Sequence, residues 1–417
     1  MPENGLSTGT TVILAGTLLD GTGAEPRRDV AIHLKDGVIT GVEAAGSVPR
    51  GATVLDVHDY TVMPGLINMH AHTTLPGDGT PFAEWMALPD ELQLLQAQTN
   101  ATVALRSGVT TIRDCGGRGR IMFRLREAIR AGIVAGPRFV LCGRALTITG
   151  GHCHYFGGEA DGPDEMRRVA RQLLKEGADF IKIMASGGGT VGTYSQFPAF
   201  DREELSAAIH EAHKIAKPAS CHCIATESIS LALDAGTDHI EHCMFMSPDT
   251  TIRYDAAIGG RLAEAGVYLS ATIQTLADLP AGAQDRCDRG EASAEEAQLV
   301  ARTRQLTTDQ LAVIGALHEL GVPIVAGNDA GWRVTGFDDF YEELQYLARA
   351  GMTPLEAIHA ATGRAAEACQ LGGVVGTVAV GCVADLVAVD GDPLCDLGVL
   401  KDPALVLQHG RIVVDRR

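Results

Sequence analysis

Histidine, lysine and aspartate stand at the ends of several short apolar segments of this chain. His70 and His72 close the run VMPGLINMHAHT, residues 62–73, with one residue between them. Because side chains two positions apart in a strand share a face, both imidazoles would point the same way. Paired neutral imidazoles form half of a metal site and suit Zn, Fe, Mn or Co. In a chain with 14 histidines, a chance pair is the alternative.

Four further apolar segments carry a residue that could bind a metal. They are ADFIKIM with Lys182, PASCHCI with His222, HIEHC with His242 and PIVAGNDA with Asp329. A lone buried histidine or aspartate is more often structural, but five strands that each end in such a residue favour a shared site. A protonated lysine cannot bind a cation, and its charge is costly inside an apolar strand. We therefore expect Lys182 to be deprotonated or modified.

The elements that must position these residues lie between about residues 61 and 370. Short apolar strands alternate there with helical patterns that end at glycine or before proline. About eight such repeats predict an α/β fold of the (β/α)₈ TIM barrel type, with reactive groups at the carboxyl ends of the strands. A doubly wound sheet is the alternative, but no GxGxxG follows an early strand. The glycine-rich segments 116–120 and 186–190 are interpreted as loops.

The two ends of the chain have a different texture. Residues 1–60 and 371–417 hold short β-type segments separated by turn residues. We expect them to form one small β-sandwich-like domain, with an antiparallel sheet in the first part. Residues 274–309 are polar and interrupt the strand–helix alternation. They predict an inserted loop and helix that could cover the mouth of the barrel as a lid.

Composition limits the classes of protein that need to be considered. The 417 residues are 46% hydrophobic and 21% charged, with no apolar stretch near the roughly 20 residues of a membrane helix. The N-terminal segment lacks the basic start of a signal peptide, so we expect a cytoplasmic protein. A net charge of −18 argues against a nucleic-acid partner. The 10 cysteines have no CxxC spacing and are predicted to be reduced thiols.

The motifs together resemble a known family. MPGLINMHAH, FIKIMASGGG, HIEHC and VAGNDAG, with ILAGTLLDGTG, GCVADLVAVDGDP and HGRIVVD near the two ends, resemble the amidohydrolase superfamily of metal-dependent barrels. Within it, the chain is most similar to the imidazolonepropionase-related, Xaa-Pro dipeptidase-like branch. The resemblance implies two divalent metal ions, Zn first and Fe, Mn or Co as alternatives. It assigns His70, His72 and Asp329 to one ion, His222 and His242 to the other, and Lys182, carboxylated by CO₂, to both.

The resemblance also implies an activity. We expect hydrolysis of an amide-type C–N bond of a small molecule by a metal-activated hydroxide, with Asp329 as the proton shuttle. Dipeptides or N-acyl amino acids are the first substrate class; xenobiotic amides, carbamates or phenylureas come next. A lactam hydrolase or deaminase is a second alternative, although Lys182 argues against deamination. A scaffold without metal is disfavoured because the ligand positions are intact. The family often forms homo-oligomers.

Residues that would contact the substrate are less defined by the sequence. GGHCHYFGG, residues 150–158, places His152 and His154 near the expected mouth. The resemblance to family members with a similar GGH stretch implies that a histidine there donates to the substrate carbonyl; a surface loop is the alternative. Tyr194 would contact substrate or pack. Arg113 and Asp114 are interpreted as structural.

One position departs from the branch. His222 is followed by Cys223 and Ile224, where the branch has His-Ala and then a polar residue. The expected polar contact to substrate is missing there, which leaves room for an apolar amide, carbamate or urea. His239 lies three residues before His242, so in a regular strand it would face the opposite way.

Overall fold

The structure is a computed structural model that describes residues 10–46 and 48–417. Residues 1–9 and 47 lie outside the described part. Most of the N-terminal segment on which the cytoplasmic expectation was based is among them. The strands are β1 Thr11–Leu18, β2 Arg27–Lys35, β3 Val38–Ala44, β4 Thr53–Pro64, β5 Leu66–Ala71, β6 Val109–Asp114, β7 Arg138–Leu141, β8 Ile181–Met184, β9 Ala219–Ala225, β10 His239–Met246, β11 Tyr268–Ser270, β12 Ile324–Val325, β13 Leu386–Asp390, β14 Leu405–Gln408 and β15 Arg411–Asp415.

The helices alternate with the central strands. They are α1 Phe82–Ala87, α2 Asp90–Arg106, α3 Ile121–Arg130, α4 Gly162–Glu176, α5 Arg202–His213, α6 Thr226–Ala235, α7 Ala256–Ala265, α8 Ile273–Asp278, α9 Ala281–Asp288, α10 Ala294–Glu319, α11 Tyr341–Arg349, α12 Pro354–Ala360 and α13 Gly363–Ala368. Two 3₁₀ helices cover His154–Phe156 and Leu397–Lys401. The α/β fold class is therefore confirmed.

The central strands pair in parallel and form two sheets in the described chain. One sheet has the order β5-β6-β7 and the other β12-β11-β10-β9-β8. Isolated parallel bridges cross both gaps between the sheets, from Leu146 to Ile183 and from Ala71 to Ala330. All residues of β5, β6 and β8 are buried, as expected for strands covered on both faces. The carboxyl ends of these strands thus share one edge, where the predicted site residues lie.

Strands from both ends of the chain form a third, seven-stranded sheet with the order β15-β14-β13-β4-β1-β2-β3. β1 pairs antiparallel with β2 but parallel with β4, so the expected purely antiparallel sheet is wrong. The chain reverses between β1 and β2 and again between β2 and β3, so β3 runs in the direction of β1, and β4 has that direction too. The sandwich-like form stays a prediction.

The predicted strand that begins at Val62 is divided between this sheet and the central strands. β4 continues to Pro64, and Val62 and Met63 pair with β13. The first central strand therefore begins at Leu66, because the apolar run from Val62 is shared between two sheets. The division into 1–60 plus 371–417 and 61–370 stays a prediction.

The predicted insertion at 274–309 is helical. Helices α8 and α9 and residues 294–309 of α10 occupy most of it, and residues 279–280 and 289–293 connect them. α10 begins at Ala294 because Ser293 and Glu296 form a capping box, each side chain accepting the other's backbone N–H. A role as a lid stays a prediction.

The helices and cysteines of the structure relate to the expectations from composition. Among the described helices, none combines the length and apolar character that crossing a bilayer demands. All 10 cysteines are free thiols, as predicted.

Carboxylates crowd together between α8 and α11. The Glu343 carboxylate accepts the N–H groups of Ile273 and Gln274, at 3.1 and 2.8 Å, at the start of α8. Asp278 ends that helix. Burial, followed by repulsion from Asp339 and Glu342, raises the pKa of Asp278 from 3.8 to about 7. Because this pKa is higher in the folded chain than in the unfolded one, ionisation of Asp278 removes stability as the pH rises between those values.

We expect Asp278→Asn to stabilise the protein in a pH-dependent way. The amide keeps an oxygen for the Thr335 hydroxyl but removes the charge. The unfolding free energy of the variant, measured by urea titration, should exceed that of the wild type at pH 8 and approach it at pH 4. Asp285→Asn, at an exposed position of α9, is the matched control and should show no such change. The same stability difference at both pH values would contradict the assignment.

Candidate metal centre

The predicted ligand residues converge at the carboxyl ends of the central strands. The imidazole ring centres of His70 and His242 lie 5.0 Å apart, and those of His222 and His242 lie 4.4 Å apart. Asp329 follows β12, and its Oδ1 lies 3.5 Å from His70 Nε2 and 3.4 Å from His72 Nε2. His70, His242 and Asp329 offer ligand atoms that all lie within 4.8 Å of one another. Residues distant in the sequence therefore form one cluster.

An irregularity in β10 places two neighbouring side chains at this cluster. His242 and Cys243 have positive φ angles of 67° and 51°, and the pairing with β9 shifts register between His242 and Met246. Such a bulge interrupts the alternation of side chains along a strand. Glu241 and His242 consequently both contact the His70 ring, by a hydrogen bond and by ring packing.

The imidazoles of His70 and His72, at the carboxyl end of β5, each form a hydrogen bond through Nδ1. His70 Nδ1 donates to Glu241 Oε2 at 2.8 Å, and His72 Nδ1 donates to the Gly116 carbonyl at 2.8 Å. Carboxylate and carbonyl oxygens only accept, so each ring must carry its proton on Nδ1. Both Nε2 atoms therefore face Asp329 unprotonated.

The other two imidazoles are oriented in the same manner. His222 donates through Nε2 to the Gly187 carbonyl at 3.1 Å. His242 Nδ1 lies 2.6 Å from Thr272 Oγ1, and that hydroxyl donates to the Ala271 carbonyl at 2.8 Å. Since the hydroxyl proton is used there, the hydroxyl oxygen accepts from His242. The remaining nitrogens, Nδ1 of His222 and Nε2 of His242, are thus unprotonated.

Burial controls the charges in the cluster. It lowers the pKa of His70 to about 3 and that of His72 to about 4, and it holds the pKa values of His222 and His242 well below the ordinary range. All four imidazoles are therefore neutral at pH 7. Burial also raises the pKa of Asp329 to about 8.

This donor set fits divalent cations. Four neutral imidazoles and a carboxylate suit ions such as Zn, Fe, Mn or Co. Within the described residues, Lys182 Nζ and Asp329 Oδ1 are buried and have no hydrogen-bond partner. A buried polar atom without a partner is costly, and a cation bound to Asp329 Oδ1 would remove that cost for the carboxylate.

Glu241 is a site residue that the sequence reasoning missed. Its carboxylate accepts hydrogen bonds from Arg113, Ser220 and His70 in the buried interior. Burial opposes its ionisation, yet Arg113, Lys182 and His70 hold its pKa well below the ordinary range. The available signal was an acidic residue inside the apolar strand HIEHC, where an unpaired charge would be unfavourable. Arg113, predicted to be structural, orients this acid.

The predicted substrate contacts separate into two groups. The His152 ring lies 4.7 Å from the His222 ring, and its Nδ1 lies 2.8 Å from Thr190 Oγ1. Gly188 permits this approach, because a Cβ there would lie 2.5 Å from the His152 ring. His154 bonds through Nδ1 to the Gly151 carbonyl at 3.0 Å, and Tyr194 is 66% exposed. The structure thus brings His152 to the cluster, whereas His154 and Tyr194 lie outside it.

His239 and Asp114 take structural positions. The His239 ring stacks on Tyr268 at 5.2 Å. Asp114 accepts the backbone N–H groups of Thr73 and Gly116, which fixes the loops after β5 and β6. Both residues therefore support neighbouring segments.

Comparisons with known proteins cover most of this chain. The family model described as "Amidohydrolase family" matches residues 61–413. Ochratoxinase from Aspergillus niger is 29% identical over 434 aligned residues, which cover 95% of this chain and 84% of that protein. Imidazolonepropionase from Ralstonia nicotianae is 26% identical, covering 95% and 97%. The crystal structure of a Xaa-Pro dipeptidase with bound methionine in the active site has a TM-score of 0.84 and 29% identity, covering 97% of this chain and 99% of that one.

We expect Glu241→Gln to destabilise the protein strongly. The neutral amide leaves Arg113 as an uncompensated buried cation, and breaking a buried ion pair costs about 3–5 kcal/mol of unfolding free energy. Arg113→Met in the Glu241→Gln background should restore part of the loss, since it removes that cation. Urea unfolding measures all three proteins.

Glu127→Gln, which breaks an exposed pair with Arg124, is the matched control and should change stability little. Equal, small effects of the two Glu→Gln substitutions would show that Glu241 has no such role.

Proposed function

This chain belongs to the amidohydrolase family and is a hydrolase of C–N bonds, and we propose that it cleaves the amide of a dipeptide or N-acyl amino acid with two bound divalent ions. The observation that carries the proposal is the cluster of four imidazoles, each with one unprotonated nitrogen, that surrounds the buried Asp329 carboxylate. The family description and the name of the Xaa-Pro dipeptidase support an amide bond in the substrate.

The proposed ligands fall into two sets joined by one residue. Zn is the first choice of ion, with Fe, Mn or Co as alternatives. Bound ions supply Lewis acidity, which polarises a carbonyl oxygen and lowers the pKa of water. One ion would be held by His70, His72 and Asp329, the other by His222 and His242, and both by Lys182.

Lys182 would take part as a carbamate. Its neutral Nζ would form a bond to the carbon of CO₂ while one C=O π bond opens to an oxyanion, and the nitrogen would release one proton to water. The product is an anionic group with two oxygen donors. The support for this modification is the burial of Nζ without any partner among the described residues. An ammonium in that position would be unfavourable, whereas a carbamate becomes an oxygen ligand.

Asp329 and His152 would handle the proton and the substrate carbonyl. Asp329 Oδ1, which has no hydrogen-bond partner in the described chain, would take the proton of the attacking water and return it to the leaving amine. His152, held through Nδ1 by Thr190, would donate from Nε2 to the substrate carbonyl. His154 and Tyr194 would contact outer parts of the substrate.

We also propose a barrel, a separate β domain and a homo-oligomer for this chain. The bridges Leu146–Ile183 and Ala71–Ala330 support closure of the two parallel sheets into a (β/α)₈ barrel. The seven-stranded sheet, built from both ends of the chain, would form the separate β domain. A homo-oligomer is proposed from the resemblance alone.

We expect the wild-type protein to bind two divalent ions per chain and Lys182→Ala to bind fewer. Without Nζ no carbamate can form, so the shared ligand is lost and turnover falls to near the background rate. Short carboxylates such as acetate should restore part of the activity by replacing the missing oxygens. Elemental analysis after dialysis gives the metal content.

Lys175→Ala, at an exposed position of α4, is the control and should retain both ions. Two ions and full turnover in Lys182→Ala would refute the bridging role.

The proposed reaction is tested with a panel of dipeptides, N-acyl amino acids, carbamates and phenylureas. We expect the metal-loaded enzyme to hydrolyse the first two classes fastest. Asp329→Asn should lower kcat by about 10²- to 10⁴-fold, the range of general acid–base catalysis, with little change in KM. Preference for a carbamate or phenylurea would overturn the proposed substrate class. An Asp329→Asn variant that keeps wild-type kcat and both ions would overturn the proton-shuttle role of Asp329.

A further inference from the structure

Three loops meet around Trp332 at the entrance to the candidate metal centre. The Trp332 indole centre lies 5.5 Å from the His152 ring and 6.4 Å from the His72 ring. The loop after β8 packs against its other side, because a Cβ on Gly189 would lie 2.8 Å from the indole. The residue that follows Trp332 is thus placed at the mouth of the site.

That residue is Arg333, an exposed cation. Its Nη2 donates to the Gly189 carbonyl at 3.5 Å, and its own carbonyl accepts the Gly79 N–H at 2.8 Å. Arg118, Arg144 and Arg253, in other loops on this face, each pair with a carboxylate. Among the described residues, Arg333 has no carboxylate partner. In a chain with 52 acidic and 34 basic residues, such a cation beside the site is available to an anionic ligand.

The backbone of Arg333 is held in an unfavourable conformation. Its φ angle is 54°, in the left-handed region that glycine adopts more easily. Two hydrogen bonds close the loop around it, from the Thr335 N–H to the Trp332 carbonyl and from the Gly331 N–H to the Thr335 carbonyl. Strain of this kind persists where the surrounding structure imposes it and is concentrated at functional sites. The backbone conformation at position 333 therefore favours glycine over arginine.

The surface next to Arg333 is apolar. Trp332 and Tyr155 pack against the same buried cluster, and the Phe82 ring lies 4.3 Å from the Tyr155 ring. In the loop after β8, Val191 is 97% exposed. The mouth thus combines aromatic surface with an unpaired positive charge.

We propose that Arg333 binds the free carboxylate of the substrate and makes the enzyme selective for amides of apolar amino acids. The proposal rests on the proposed function, because it assigns the leaving half of the same amide. A guanidinium offers two parallel N–H donors that match a carboxylate. Neutral carbamates and phenylureas have no group that could form this pair. Arg333 would therefore decide between the charged and neutral substrate classes that the family resemblance leaves open.

The test compares two probes with the same scissile amide, N-acetyl-L-phenylalanine and N-(2-phenylethyl)acetamide, of which only the first has a carboxylate. The variants are Arg333→Gly, which relaxes the backbone while removing the guanidinium, and Arg168→Ala, an exposed control on α4. For Arg333→Gly we expect the KM of the acid to rise about 10- to 100-fold, the effect of a charged hydrogen bond. Its kcat should change less than about 3-fold, and the KM of the neutral probe should not change.

Thermal unfolding shows whether Arg333→Gly remains as stable as the wild type. Arg333→Gly should unfold at the wild-type temperature or higher, because glycine suits the positive φ. Equal changes in KM for both probes would show that Arg333 only holds the loops together, and would overturn the proposal. Unchanged KM values for both would do the same.

A binding measurement separates this proposal from the proposed function. Intrinsic fluorescence comes from Trp332 at the mouth and from the buried Trp85. Its change on rapid mixing with the metal-loaded enzyme reports binding of either probe before turnover. If the wild type hydrolyses neither probe, the proposed amide activity fails for this class, yet tighter binding of the acid that is lost in Arg333→Gly still supports the carboxylate site. Equal binding of the two probes, or binding of neither, overturns it.

Discussion

Each imidazole of the candidate centre gives one N–H to an acceptor that the fold holds in place, and this constraint decides what the centre can bind. The acceptors are the Glu241 carboxylate, the carbonyls of Gly116 and Gly187, and the Thr272 hydroxyl. A ring that donates outward presents a lone pair inward. Because burial also keeps the rings neutral, each ring retains one nitrogen with a free lone pair in the interior.

The rest of the site follows from fixing those acceptors. Glu241 can remain ionised in the interior only because Arg113 and Ser220 also donate to it. The Gly187 carbonyl belongs to the loop after β8, and glycines at 188 and 189 let that loop approach His152 and Trp332. The same loop therefore orients His222 and forms one wall of the entrance. Changes in it should affect metal binding and substrate binding together.

The sequence predicted those parts of the site that depend on local periodicity. His70 and His72 share a strand face through their spacing, and Lys182 stands out because an amine in an apolar strand needs an explanation. The hydrogen-bond partners that orient two of the imidazoles, Glu241 and Thr272, were not predicted. A bulge with positive φ at His242 breaks the alternation that would have separated Glu241 from His242. The Thr272 contact depends on where β11 ends, and the start of β5 depends on β4 pairing with β13.

We propose that these donors hold two ions bridged by a modified lysine. Anomalous diffraction at the zinc edge, from crystals of protein purified with zinc and bicarbonate, tests it directly. We expect two peaks about 3.5 Å apart, the usual spacing in two-metal sites, with Lys182 between them. Electron density should continue beyond Nζ for a carbon and two oxygens. A single peak, or none, beside an unmodified Lys182 would contradict a two-metal centre bridged by this residue.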